Sequence, residues 1–238
     1  MNSSDDQYNE RIVVASIDLL GIRNILKRPS GSKDAITQLE YFWKNAALKP
    51  LYNNESCKSY DIMLYKHGWY FGDTIYLFGS QNDSIADQVW KLVVKCASII
   101  AVGFYRNNKF LARAGISVGD LRVKSISTPN GRHELRIGTS MANAQKLESI
   151  QDWVGGALDS DIPDIESEYI IDYPVPLKPS TKAVYPIAIN WVELAKQFFS
   201  DRNQLVSKVS ECHRWIGGAG ENEERKIKNT IDFISAVW

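Results

Sequence analysis

An aspartate inside an apolar, β-branched run is out of place unless something compensates its charge, and this chain of 238 residues has one. Residues 12–20 read IVVASIDLL, the pattern of a buried strand, with Asp18 near its end and Gly21 just beyond. A carboxylate there costs several kcal/mol of desolvation unless it is paired or binds a cation. A second aspartate, Asp73, lies in YKHGWYFGDTIYLFG at 65–79. The aromatic and β-branched residues on both sides of Gly72 and Asp73 predict two strands meeting at a tight turn. A carboxylate on such a tip is held rigidly, which suits a metal ligand. Each also has a plainer reading: Asp18 as a helix N-cap, Asp73 as an ordinary turn residue. A metal reading of either needs a partner carboxylate beside it.

The elements that would position them alternate between the two periodicities. Residues 34–48 predict an amphipathic helix, with Ile36, Leu39, Phe42 and Trp43 at helical spacing, and 59–65 a strand leading into the hairpin. Residues 84–106 predict a long helix capped by Asp83 or Ser84. Strands are expected over 110–118, 121–126 and 135–137, then a helix opening at Gly138 with Met141, Ala144, Leu147 and Ile150 inward. Gly155, Gly156 and the acidic stretch 159–168 predict a loop, followed by short strands over 169–173 and 184–189. From Trp191 the pattern is helical, with a break at the glycines of 217–220, which follow a helix and lack a phosphate loop's Lys-Ser/Thr ending. Strands interleaved with helices but including hairpins predict an α+β fold with a mixed sheet flanked by helices.

Composition narrows the function classes. Lys plus Arg and Asp plus Glu number 28 each, so no overall field draws the chain to nucleic acid or an anionic membrane. Three scattered cysteines (Cys57, Cys96, Cys212) argue against a disulfide framework and for a reducing compartment. Three histidines show no zinc-ligand spacing with them. No apolar run is long enough to span a bilayer and the polar, acidic N-terminus is no secretory signal, so the expected location is cytoplasmic.

Four segments stand in a fixed order: SIDLLGI at 16–22, FGDT at 71–74, RAGISVG at 113–119 and GTSMANAQKLES at 138–149. Together they resemble the class III nucleotide cyclase catalytic domain, over about residues 11–151, and within it most narrowly the bacterial pyrimidine cyclases of Pycsar anti-phage systems. The resemblance implies a ferredoxin-like mixed sheet in a catalytic domain of residues 1–190, with 191–238 a C-terminal helical extension of the same domain. It implies two divalent cations (Mn2+ or Mg2+) on Asp18 and Asp73, with the Leu19 carbonyl on the second. Gly21, Ile22 and Arg23 match the turn that receives the β- and γ-phosphates. It implies a homodimer, because sites in that family form between two catalytic domains.

The departures from the family pattern concern the base. Trp69 stands where purine cyclases keep a Lys or Glu, and Leu135 where they keep an Asp or Cys, so both polar purine readers are missing. With the narrower resemblance, this implies UTP as substrate, cyclic UMP as product and a separate cyclic-nucleotide-activated effector protein downstream. The alternatives are CTP and cyclic CMP, or an inactive copy that senses nucleotides. The family's Asn position is Ala142, with Asn143 next, and its transition-state Arg position is Lys146, which offers charge without the bidentate fork. Arg113 reads as a structural ion-pair former. Lys178 falls roughly where the family keeps a phosphate-binding lysine.

Overall fold

The computed structural model describes residues 6–42, 68–71, 73–105, 110–128, 131–216 and 220–238. The expected strand over 59–65, the far end of the first expected helix, Gly72, and the glycines at 217 and 218 lie outside them.

The apolar run around Asp18 becomes β1 (Asp6–Leu20), the middle of the sheet. Strand alternation sends Val13, Ala15, Ile17 and Leu19 into the main core and Ile12 and Val14 into a smaller one on the other face. Asp18 keeps step with Ile12 and Val14. β1 pairs antiparallel with β3 (Thr74–Phe78) on one side and β4 (Leu111–Thr128) on the other. β2 (Gly68–Phe71) extends the β3 edge, and β5 (Gly131–Ile137) forms a hairpin with β4. β6 (Gly155–Leu158) runs parallel to β4, followed outward by β8 (Ile187–Ile189) and β7 (Ile170–Asp172). The described sheet is therefore mixed and helix-covered, the α+β architecture that the interleaved pattern predicts.

Helix α1 (Ile22–Leu26) follows β1 at once, and α2 (Gly31–Phe42) comes next. Helix α3 (Ile85–Phe104) covers the main core with Val89, Leu92, Val93, Cys96, Ile99 and Ile100, all buried. Ser84 caps it, its Oγ accepting from Asp87 N at 3.1 Å. Helix α4 (Thr139–Ile150) lies on the opposite face. A Cβ on Gly115 of β4 would fall 2.3 Å from the Ala144 carbonyl oxygen, so only glycine lets α4 approach this closely.

The last helices are α5 (Val192–Ala195), α6 (Arg202–Ile216) and α7 (Glu221–Val237). Leu205, Val209, Cys212, Ile216, Phe233 and Ile234 bury into the same core as β1. Phe233 meets the Trp153 ring edge-on at 4.7 Å, an aromatic pair worth about 1 kcal/mol beyond its area. Cys96 and Cys212 are buried thiols. Among the described residues no helix is long and apolar enough to cross a membrane.

Two expectations need correction. The strands expected over 110–118 and 121–126 are one continuous strand. Gly119 and Asp120 do not break it because β1 bulges opposite them, pairing Asn9 with Leu121 and Ile12 with Gly119. Gly155 and Gly156 are not loop but the fully buried β6, since pairing with Arg113 and Ala114 of β4 overrides their turn preference.

Candidate active site

Asp18 sits at the end of β1, directly across from Thr74 on β3 and Arg113 on β4. Asp73 occupies the turn just before β3. The main chain ties the two together: Leu19 N donates to Asp73 O at 3.1 Å. Both carboxylates thus belong to one end of two neighbouring strands. Burial pushes the Asp18 carboxyl above the ordinary carboxylate range, the Arg113 guanidinium opposes this, and the Asp73 charge adds to it. A partly buried carboxylate whose ionisation a second carboxylate nearby opposes is a donor arrangement that a divalent cation would relieve. Among the described residues no group of three or more His, Cys, Asp or Glu surrounds one point. At this point the described residues offer two carboxylates and main-chain oxygen, fewer protein donors than a divalent cation's full shell.

Arg113 is the hub behind this pair. Its Nη2 donates to Asp18 Oδ2 at 3.1 Å, and its Nη1 donates to Gln151 O at 2.8 Å. Glu148 Oε1 of α4 lies 2.8 Å from Nη2, an ion pair without a hydrogen bond. Arg113 Nε is buried and has no hydrogen-bond partner among the described residues. Gln151 is itself anchored, donating to Ala114 O at 2.8 Å and Leu147 O at 3.0 Å. The ion-pair expectation for Arg113 holds, and the partner is one of the candidate metal ligands.

Glu148 was legible only as part of a motif. Its signal is its place one helical turn after Ala144, on the inward face of α4. It is 5% exposed, and burial pushes its carboxyl up to about 7 against the pull of Arg113. Lys178 lies beside the same group. Its main-chain N donates to Ile150 O at 2.9 Å and its Nζ donates to Ser149 O. Burial and the Arg113 charge lower its proton affinity, and Glu148 raises it.

The buried Glu148 has a counterpart in His213 of α6, whose ring burial pushes down to about 4. Between pH 4.5 and about 7 the folded chain holds a proton on Glu148 that the unfolded chain has lost, so stability falls as pH rises. Between about 4 and 6.5 the unfolded chain protonates His213 and the folded one does not, so stability rises with pH. Each slope amounts to about 3 kcal/mol across its window, and the two nearly cancel. Glu148→Gln should leave a stability that climbs from pH 4 to 6.5, and His213→Leu one that falls from 4.5 to 7. Urea unfolding at each pH reads both, and parallel profiles for the two variants would contradict the assignment.

The structure places the remaining candidates as follows. Gly21 is left-handed, with φ +89°, and caps α1, where Asn24 and Ile25 both donate to its carbonyl. Ile22 is buried and Arg23 exposed. Trp69 stands on β2 opposite Tyr76 of β3. Leu135 is on β5 opposite Lys124, 53% exposed, so one chain alone does not enclose it. Lys146 is exposed on the face of α4 opposite Ala144, Leu147 and Glu148.

The sequence matches no family model and no curated relative. The fold does have counterparts. The guanylate cyclase domain of RhGC from Catenaria anguillulae, in complex with GTP, matches with a TM-score of 0.56 at 15% identity, covering 76% of this chain and 96% of that one. The chain has the class III nucleotide cyclase fold. The adenylyl cyclase CyaB from P. aeruginosa matches at 0.54 and 13% identity, over 78% of this chain and 95% of that one. The catalytic core of a rhodopsin-guanylyl cyclase with converted specificity, in complex with ATPalphaS, matches at 0.56 and 14% identity, over 78% and 96%. These cyclase domains share the architecture at low identity, so the fold is common to them and the residues argue the rest.

Proposed function

We propose that this chain is a metal-dependent nucleotide cyclase that converts UTP to 3′,5′-cyclic UMP and pyrophosphate. The observation that carries it is the Asp18–Asp73 pair at one end of neighbouring strands, tied through Leu19 N and Asp73 O. The 3′-oxygen attacks the α-phosphorus, the bond to the β-phosphate oxygen breaks, the hydroxyl proton leaves to water, and pyrophosphate departs. Mn2+ or Mg2+ ions held by Asp18, Asp73 and the Leu19 carbonyl would acidify the 3′-hydroxyl and neutralise phosphate charge. Gly21, Ile22 and Arg23 open α1, where the first N–H groups of a helix have no partner within it and can meet β- and γ-phosphate oxygens. Arg113 Nε, a buried donor with no hydrogen-bond partner among the described residues, and the nearby Lys178 support an anionic occupant.

The uridine reading rests on Trp69 and Leu135, which stand where polar groups would read a purine. Exposed Leu135 and Ile137 on β5, and Lys146 on the outer face of α4, support a two-fold pair in which each copy completes its neighbour's site. The product would act through a separate cyclic-nucleotide-activated effector in anti-phage defence. Incubating the protein with each of four triphosphates and Mn2+ and resolving the products tests the substrate: cyclic UMP upholds it, and purine products alone would overturn it. The dimer has its own test. Asp73→Ala and Lys146→Ala chains, each inactive alone, should recover about a quarter of wild-type activity when mixed equally, since half the dimers are hybrids with one intact site. No recovery between exchanging subunits would contradict a shared site.

A further inference from the structure

The turn between β1 and α1 is pinned from two sides. On one, Leu19 N is bonded to Asp73 O at 3.1 Å. On the other, Gly21 lies against the end of α6 so closely that a Cβ there would fall 1.9 Å from Ile216 Cγ2. Ile216 is itself buried, at 4% exposure. Arg28, just past α1, adds two more ties: its Nη2 donates to Trp215 O, and its guanidinium stands 5.0 Å from the Trp215 ring centroid.

A five-residue helix has little stability of its own, and Gly21, freely flexible for want of a side chain, is ordered only where its surroundings hold it. Ile22 and Ile25 bury inward from α1 and Ile216 meets them in the same core, so the support is packing rather than a lone bond. We propose that Trp215 and Ile216 are positioning residues for the Leu19–Arg23 turn, through which the C-terminal helices set how tightly the triphosphate is held. The ligand that the turn meets rests on the cyclase reading above. A turn ordered in advance spares the triphosphate the ordering cost on binding, whereas a loosened one imposes it. The cost falls on binding and not on the chemical step, because Asp18 and Asp73 keep their own strand pairing.

The test uses Arg28→Ala, Ile216→Val and the conservative Arg28→Lys in the full chain. Affinity is read by calorimetry with 3′-deoxy-UTP and Mn2+, which lacks the attacking hydroxyl, and turnover is read with UTP. Arg28→Ala and Ile216→Val should weaken 3′-deoxy-UTP binding and raise KM by about tenfold and threefold, with kcat within about twofold, and Arg28→Lys should recover most of the loss. Wild-type affinity in both variants, or equal losses in kcat and kcat/KM, would overturn the support. If the wild type binds 3′-deoxy-UTP but forms no cyclic product from UTP, the cyclase reading falls, while weakened binding in Arg28→Ala still upholds the support. A wild type that binds no triphosphate overturns both.

Discussion

Asp73→Asn is expected to lower cyclic-nucleotide formation by about a thousandfold or more while leaving the fold intact. On the proposed function Asp73 would be one of two carboxylates holding the cations, so its loss would take several kcal/mol of charge stabilisation from the transition state, and about 4 kcal/mol is a thousandfold in rate. The fold survives because the bond that ties Asp73 to β1 uses its main-chain oxygen, which asparagine keeps. Asp18→Asn should cost as much activity but behave differently in stability, since it takes away the carboxylate that Arg113 Nη2 reaches at 3.1 Å. Product formation at saturating Mn2+, with thermal unfolding of the same samples, checks both. An Asp73→Asn protein that unfolds early would assign the residue to structure, and one that keeps its activity would remove it from the site.

Arg113→Met carries the largest expected effect on stability. It leaves Glu148, 5% exposed, without the cation 2.8 Å away, and removing one partner of a buried pair costs about 3–5 kcal/mol. The loss depends on pH in a stated direction. At pH 8 Glu148 is ionised and the full loss appears. At pH 5, below its value of about 7, the carboxyl holds its proton and the loss shrinks. Arg113→Lys should fall between, because a point charge cannot serve Asp18, Glu148 and Gln151 O at once. Urea unfolding at the two pH values decides it, and a loss of equal size at both would contradict the pairing.

The sequence displays the parts of this site that break a local rule. Asp18 is visible because a carboxylate interrupts a strand that would otherwise be wholly apolar, and Asp73 because it follows Gly72 between aromatic runs. Gly115 sits in a strand where glycine has no propensity to recommend it, and the close approach of α4 explains it. What the sequence hides is conveyed by contacts between distant segments. Glu148 reads as one more charged helix residue until α4 is laid against Gly115, which turns it inward to Arg113. The bulge between Asn9 and Ile12 depends on strand pairing, so the continuity of β4 was not legible. Nor was β6, because two adjacent glycines favour a turn until a neighbouring strand claims them. The packing of Ile216 on Gly21 joins residues almost the whole chain apart, and no periodicity announces it.

On the proposed function, Asp18 and Asp73 together hold divalent cations for a bound triphosphate. Mn2+ uptake, followed by electron paramagnetic resonance in the presence of 3′-deoxy-UTP, tests it most directly. The wild type should bind about two Mn2+ per chain once the nucleotide is added, and Asp73→Asn one or none. Equal uptake by the two proteins, or none by the wild type, would contradict it.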